Sequence, residues 1–148
     1  MRKFIIFGFT LIGVFLIDQG LKDLFEAGYN WQSKCISLEL HYNKGVAFSM
    51  FASLGAYLKW IQIALVALLA YFVIQEGWLQ RYPLSVGLIA AGALGNIYDR
   101  FTKEGVVDFV YWHCGFDFAV FNFADVMIDL GIVFILIQEL LRMKSQKS

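Results

Sequence analysis

From Ala56 to Ile74 the chain carries a single charge, Lys59, and from Phe4 to Ile17 it carries none. Two further apolar stretches follow. Leu84–Tyr98 comes directly after the only proline, Pro83, and Ala119–Leu141 contains Asp125 and Asp129. A helix crossing a bilayer needs about 20 mostly apolar residues, within a range of roughly 17–25. The second and fourth stretches meet that length as they stand. The first and third reach it if flanking residues snorkel or the bilayer thins. With 59% hydrophobic and 16% charged residues in a chain of 148, a soluble fold would be left with large exposed apolar patches. The expectation is one integral-membrane domain, residues 1–148, mainly α, with four transmembrane helices at about 4–20, 56–74, 84–98 and 119–141.

Twelve Lys+Arg balance twelve Asp+Glu, so the charge balance gives no reason to expect a nucleic-acid partner. Arg2-Lys3 ahead of the first stretch also resembles the start of a cleavable signal peptide. No small-x-small cleavage site follows, however, because the next residues are Asp18-Gln19-Gly20-Leu21-Lys22, and the segment reads as a retained span. Arg2, Lys3, Arg81, Arg142, Lys144 and Lys147 would share one side in short loops and termini, whereas Lys22, Lys34, Lys44, Lys59, Arg100 and Lys103 are spread over two long loops. Basic residues concentrated next to short connections mark the cytoplasmic side, so both termini are expected inside. Trp60 and Trp78 bracket the second span as an aromatic belt would.

On the opposite side, Cys35–Tyr42 alternates Ile36, Leu38, Leu40 and Tyr42 with Ser37, Glu39 and His41, the pattern of a half-buried strand. Gly105–Trp112 and Phe116–Phe121, joined by His113-Cys114-Gly115, read as a hairpin. A small extracytoplasmic β-sheet over the helices is therefore expected. Cys35 and Cys114 both fall on this side, where a disulfide is chemically permitted; whether they meet is left open. Two cysteines and the scattered His41 and His113 offer no metal-ligand spacing, so neither a metal nor a cofactor is expected. In the third stretch Gly87, Ala91 and Gly95 recur every four positions, a pattern suited to close helix packing.

Polar residues gather at the membrane edges in five blocks: Asp18–Lys22, Asn43–Phe48, Gly95–Arg100, Gly105–Phe109 and Phe121–Asp125. Ionisable groups at such depth are costly and mark function by default. Some have structural explanations. Asp18 and Lys22, four apart, pair on a helix; Asp99-Arg100 could anchor a helix end and pair with a loop carboxylate; Asn96 and Asn122 could satisfy backbone groups at helix termini. Asp108 and Asp125 resist that treatment. Asp108 interrupts the apolar run Val106-Val107-Asp108-Phe109-Val110, and Asp125 stands one turn after Asn122. Two carboxylates converging in a low-dielectric site share a proton, which provides a general base and an acid. Hydrolysis by an aspartyl pair, proton or ion translocation, and a purely structural scaffold all remain open on these residues alone.

Taken together and in this order, the five blocks resemble the lipoprotein signal peptidase (signal peptidase II) family of bacterial membrane aspartyl peptidases. The likeness runs from Asp18 to Gly131. It implies four transmembrane helices, an extracytoplasmic β-cradle, and catalytic aspartates at the VVDF-like and FNxAD-like blocks, here Asp108 and Asp125. It also implies supporting or substrate-binding roles for Asp18, Lys22, Asn43, Gly45, Asn96, Arg100, Asn122 and Ala124. The substrates implied are lipid-modified prolipoproteins, processed in the bacterial inner membrane among membrane lipids. Asp129 departs from the pattern, falling where the family has a small or hydroxyl residue, and His113-Cys114-Gly115 lies outside the recognised blocks.

Overall fold

A computed structural model describes residues 1–45, 54–55 and 57–146. Its elements in chain order are α1 (Arg2–Glu26), β1 (Trp31–Gln32), β2 (Ile36–Asn43), α2 (Tyr57–Gln75), α3 (Trp78–Arg81), α4 (Pro83–Thr102), β3 (Val106–Trp112) and α5 (Phe123–Ser145). The protein is mainly helical with one small sheet. Among the described residues, α1 and α2 are long and apolar enough to cross a membrane, with mean hydropathies of 2.0 and 1.9 over their most apolar 18 residues. Little of either helix is buried within the protein, as expected of apolar surfaces that face lipid.

Helix ends follow local chemistry. Gly77, at φ 63°, turns the chain out of α2 in a left-handed conformation that a side chain would strain. Pro83 opens α4 at a position where its missing N–H costs nothing. α4 is the centre of the bundle and packs chiefly on α1 and α5. Its small residues allow this. A Cβ on Gly87 would lie 2.9 Å from Thr10 of α1, and one on Gly92 would collide with the Ala124 carbonyl oxygen of α5. At the end of the bundle away from the sheet, Tyr82, Val86 and Ile135 form a buried cluster. Beside it the Tyr82 hydroxyl donates to Glu139.

The sheet is antiparallel in the order β1-β2-β3. β2 and β3 pair with His41 opposite Asp108 and Asn43 opposite Val106, with a register shift between Leu38 and His41. Phe109 of β3 stacks on Phe25 of α1 at 4.2 Å between ring centroids, and the Val107 N–H donates to Asp99 of α4 at 3.1 Å. These two contacts seat the sheet on the bundle.

The structure corrects the sequence reading in several places. Phe116–Phe121 does not form a second hairpin strand; only Phe121 bridges to Val110. The reason lies in the connection. Cys114 is disulfide-bonded to Cys35 and the His113 N–H donates to the Cys35 carbonyl, so the chain after β3 is tied to the start of β2. Ala119–Phe121 precede α5, which begins at Phe123 because Asn122 caps it. The two-residue β1 and the single-turn α3 are too short to leave a periodic signature. Val46–Phe48 of the second polar block lie outside the described residues.

Candidate active site

Alternation along β3 turns Asp108 away from the face that carries Val107 and Phe109. Asp108 is 2% exposed, and its neighbours are polar. Asn43 Nδ2, from the paired strand, donates to Asp108 Oδ2 at 2.9 Å, and Asn122 Nδ2 donates to Oδ1 at 2.7 Å. Asn122 is also the N-cap of α5. Its Oδ1 accepts from the Asp125 N–H at 3.0 Å, while its own N–H donates to Asp125 Oδ2 at 3.1 Å. This reciprocal capping box fixes Asp125 on the first turn of the helix. Asn96 Nδ2 of α4 donates to the remaining oxygen, Asp125 Oδ1, at 2.8 Å. All four carboxylate oxygens thus accept one N–H each. Asn122 is the residue common to both aspartates.

A buried ionic cluster stands behind this pair. Lys22 Nζ lies 2.8 Å from Asp18 and 2.7 Å from Asp99, and all three side chains are fully buried. Lys22 also donates to Asn96 Oδ1 at 3.1 Å, and the same oxygen accepts from Asn122 Nδ2 at 3.1 Å. The two amides are thereby held in one orientation, each accepting through Oδ1 and donating through Nδ2. Ala124 is completely buried, its carbonyl lying where a Cβ on Gly92 would fall. A Cβ on Gly95 would likewise collide with the Asp18 carboxylate. The small residues of α4 therefore serve the site as well as the packing.

Arg100 differs from expectation. Its partners are Gln62 of α2, whose Oε1 accepts from Nε at 2.9 Å, and the Gly45 carbonyl; no loop carboxylate is within ion-pair distance of it among the described residues. Gly45 is held in turn by its N–H donating to Asn43 Oδ1 at 3.0 Å, so Arg100 braces the turn that positions Asn43. Asn96 is not a helix-end cap but a link between Lys22 and Asp125. Asp99, read from the sequence as a helix-end anchor, is the second carboxylate on Lys22 and the anchor of β3. Gln19 Nε2 donates to Asp18 at 3.0 Å and to Asp99 at 3.4 Å, a role no spacing rule would have found.

Asp108 and Asp125 line one cavity of about 500 Å³ together with Arg100, Gln62, Ile128 and Asp129. A second cavity of about 270 Å³ reaches Asp108 from the sheet side, past His41 and Tyr42. Residues Phe118, Ala119 and Val120 form a wall common to both. Burial pushes the Asp108 carboxyl up from its ordinary value to about 6; the hydrogen bond from Asn43 opposes this, and the neighbouring Asp125 adds to it.

Two carboxylates bridged by amides in a cleft between a helix bundle and a sheet define a site suited to acid–base hydrolysis without a covalent intermediate. The family model for Signal peptidase (SPase) II matches residues 10–141, and the chain belongs to this family. It is a peptidase. The lipoprotein signal peptidase of Sulfurovum sp. (strain NBC37-1) is 58% identical over 93% of this chain and 94% of its own length. That of Wolinella succinogenes is 45% identical over 88% and 90%. The fold is similar to that of a bacterial membrane enzyme solved by the in meso method at 2.3 Å. The TM-score is 0.78 at 27% identity, covering 96% of this chain and 91% of the other.

Proposed function

We propose that this membrane aspartyl endopeptidase removes the signal peptide from diacylglyceryl-modified prolipoproteins, cleaving before the lipidated cysteine of the substrate. The observation that carries the reading is the joint hold of Asn122 on Asp108 and Asp125 beside a single cavity. The two aspartates act as one unit. The ionised member takes a proton from water, whose oxygen attacks the scissile carbonyl carbon, and the protonated member hydrogen-bonds the developing oxyanion. Collapse of the tetrahedral intermediate breaks the C–N bond, with a proton delivered to the departing amine. Asn43, Asn96 and Asn122 orient the pair, Arg100 and Gly45 hold the neighbouring turn, and Asp18 and Lys22 fix the amides from behind.

All four long helices cross the bacterial inner membrane on this reading, with both termini cytoplasmic and the sheet outside. The packing of α4 against α1 and α5 supports a common depth for these three. A substrate already tethered to the bilayer by its lipid meets a membrane-edge site at high effective concentration. The test is incubation of purified enzyme with a diacylated prolipoprotein. Mass spectrometry should find the signal peptide released and the lipidated cysteine at the new N-terminus. An unprocessed substrate, with folded enzyme and intact lipid, would overturn the assignment.

A further inference from the structure

Asp129 stands on α5 four residues beyond Asp125, so it shares the same helix face about 6 Å further along the axis. It lines the cavity that holds both aspartates. It is exposed, and it makes no hydrogen bond or ion pair within the distances that define one among the described residues. Its surroundings on that wall are Val126 and Ile128. A carboxylate in an apolar wall at the edge of a bilayer is costly unless something satisfies it. The cations near the cavity are engaged elsewhere: Arg100 is bound to Gln62 and the Gly45 carbonyl, and Lys22 to Asp18 and Asp99. Asp129 is thus an unassigned acceptor at the site, separate from the network that orients the pair.

We infer that Asp129 is a specificity-determining residue, which accepts a hydrogen bond from a hydroxyl side chain of the substrate on the signal-peptide side of the scissile bond. This rests on the peptidase reading above. The direction follows from the geometry of that reading. The scissile carbonyl sits at Asp108 and Asp125, the mature polypeptide leaves toward the sheet, and the signal peptide runs back along the bundle past Asp129. An extended strand advances about 3.3 Å per residue, so a 6 Å offset spans about two residues. The hydroxyl therefore belongs to one of the two residues that precede the residue bearing the attacked carbonyl. A neutral donor suits the site better than a cation, which would have to enter the bilayer edge unsolvated.

The experiment uses full-length enzyme in micelles and matched diacylated prolipopeptides carrying Ser or Ala at each of these two positions. The readout is the Ser/Ala ratio of kcat/KM. For the native enzyme the ratio should be about tenfold at one of the positions, the scale of a hydrogen bond to a charged acceptor. Asp129→Leu should bring it close to one. Asp129→Thr, which keeps a polar side chain, provides a second variant should the leucine protein fail to fold, and should leave an intermediate ratio. A native ratio near one at both positions, or a ratio that survives unchanged in the folded variants, would overturn the inference. Failure of the native enzyme to cleave any of the four peptides would instead count against the peptidase reading itself.

Discussion

Asn122 donates a 2.7 Å hydrogen bond from its side-chain Nδ2 to Asp108, while its Oδ1 accepts from the Asp125 N–H and its own N–H donates to the Asp125 carboxylate one turn later. A residue whose local task is to cap a helix therefore also sets the relation between the two carboxylates. Asn122→Ala should lose both the cap and the bridge. The cap alone is worth about 1 kcal/mol of stability, so a fall in kcat of a hundredfold or more with only a modest drop in Tm is the expected outcome. A proportionate loss of fold and activity would assign Asn122 to capping only.

The Asp108 carboxyl, raised to about 6 by burial and by Asp125, should appear as the alkaline limb of kcat/KM in the free enzyme. Above that value the pair loses its shared proton and with it the acid. The Asn43 hydrogen bond holds the value down, so Asn43→Ala should move the limb to higher pH. Rate profiles of the two enzymes check the sign, and a shift to lower pH would contradict it.

Lys22 neutralises two fully buried carboxylates. Replacing it with Met leaves Asp18 without its cation and Asp99 with only the longer pair to Lys103 at 3.8 Å, at a cost of about 3–5 kcal/mol for breaking a buried pair. Unfolding in micelles should register this loss, and adding Asp18→Asn to Lys22→Met should restore part of it because one buried charge is removed. A double variant less stable than Lys22→Met would contradict the charge account.

The disulfide between Cys35 and Cys114 closes a chain separation of 79 residues. Neither cysteine touches the carboxylate pair. Cys35→Ser with Cys114→Ser should lower stability by about 2–5 kcal/mol while cleavage persists at temperatures where the variant is folded. Complete inactivation of a well-folded double variant would contradict a mechanism without thiols.

What the sequence made legible was whatever depends on near neighbours. The Asp18–Lys22 pair followed from a spacing of four, the helices from their apolar runs, β2 from its alternation, and the close approach of α4 from Gly87 and its repeats. Asp108 drew attention because it broke an apolar run. Contacts distant in sequence had no such signal. Nothing local announces that Asp99 shares Lys22, that Arg100 seeks the Gly45 carbonyl, or that Asn96 joins Lys22 to Asp125. Phe116–Phe121 has the composition of a strand, yet the tie at Cys114 and the cap at Asn122 use its ends for other purposes. Resemblance to the family, rather than spacing, gave Asp108 and Asp125 their catalytic role.

Topology is open to direct labelling. In a cysteine-free background, a cysteine placed by Lys103→Cys should react with a membrane-impermeant reagent in intact cells, and one placed by Arg81→Cys should react only after permeabilisation. The reverse pattern would invert the orientation.

The most direct test of the carboxylate pair is a double-mutant cycle. Cleavage of a diacylated prolipoprotein should be measured for Asp108→Asn, Asp125→Asn and the combined variant, each verified as folded by its thermal transition. Because residues that act as one unit are strongly non-additive, each single substitution should lower kcat by about 10³-fold or more, and the double should be little worse than either. Near-native turnover in Asp108→Asn or in Asp125→Asn, or losses that simply multiply in the double variant, would contradict the account.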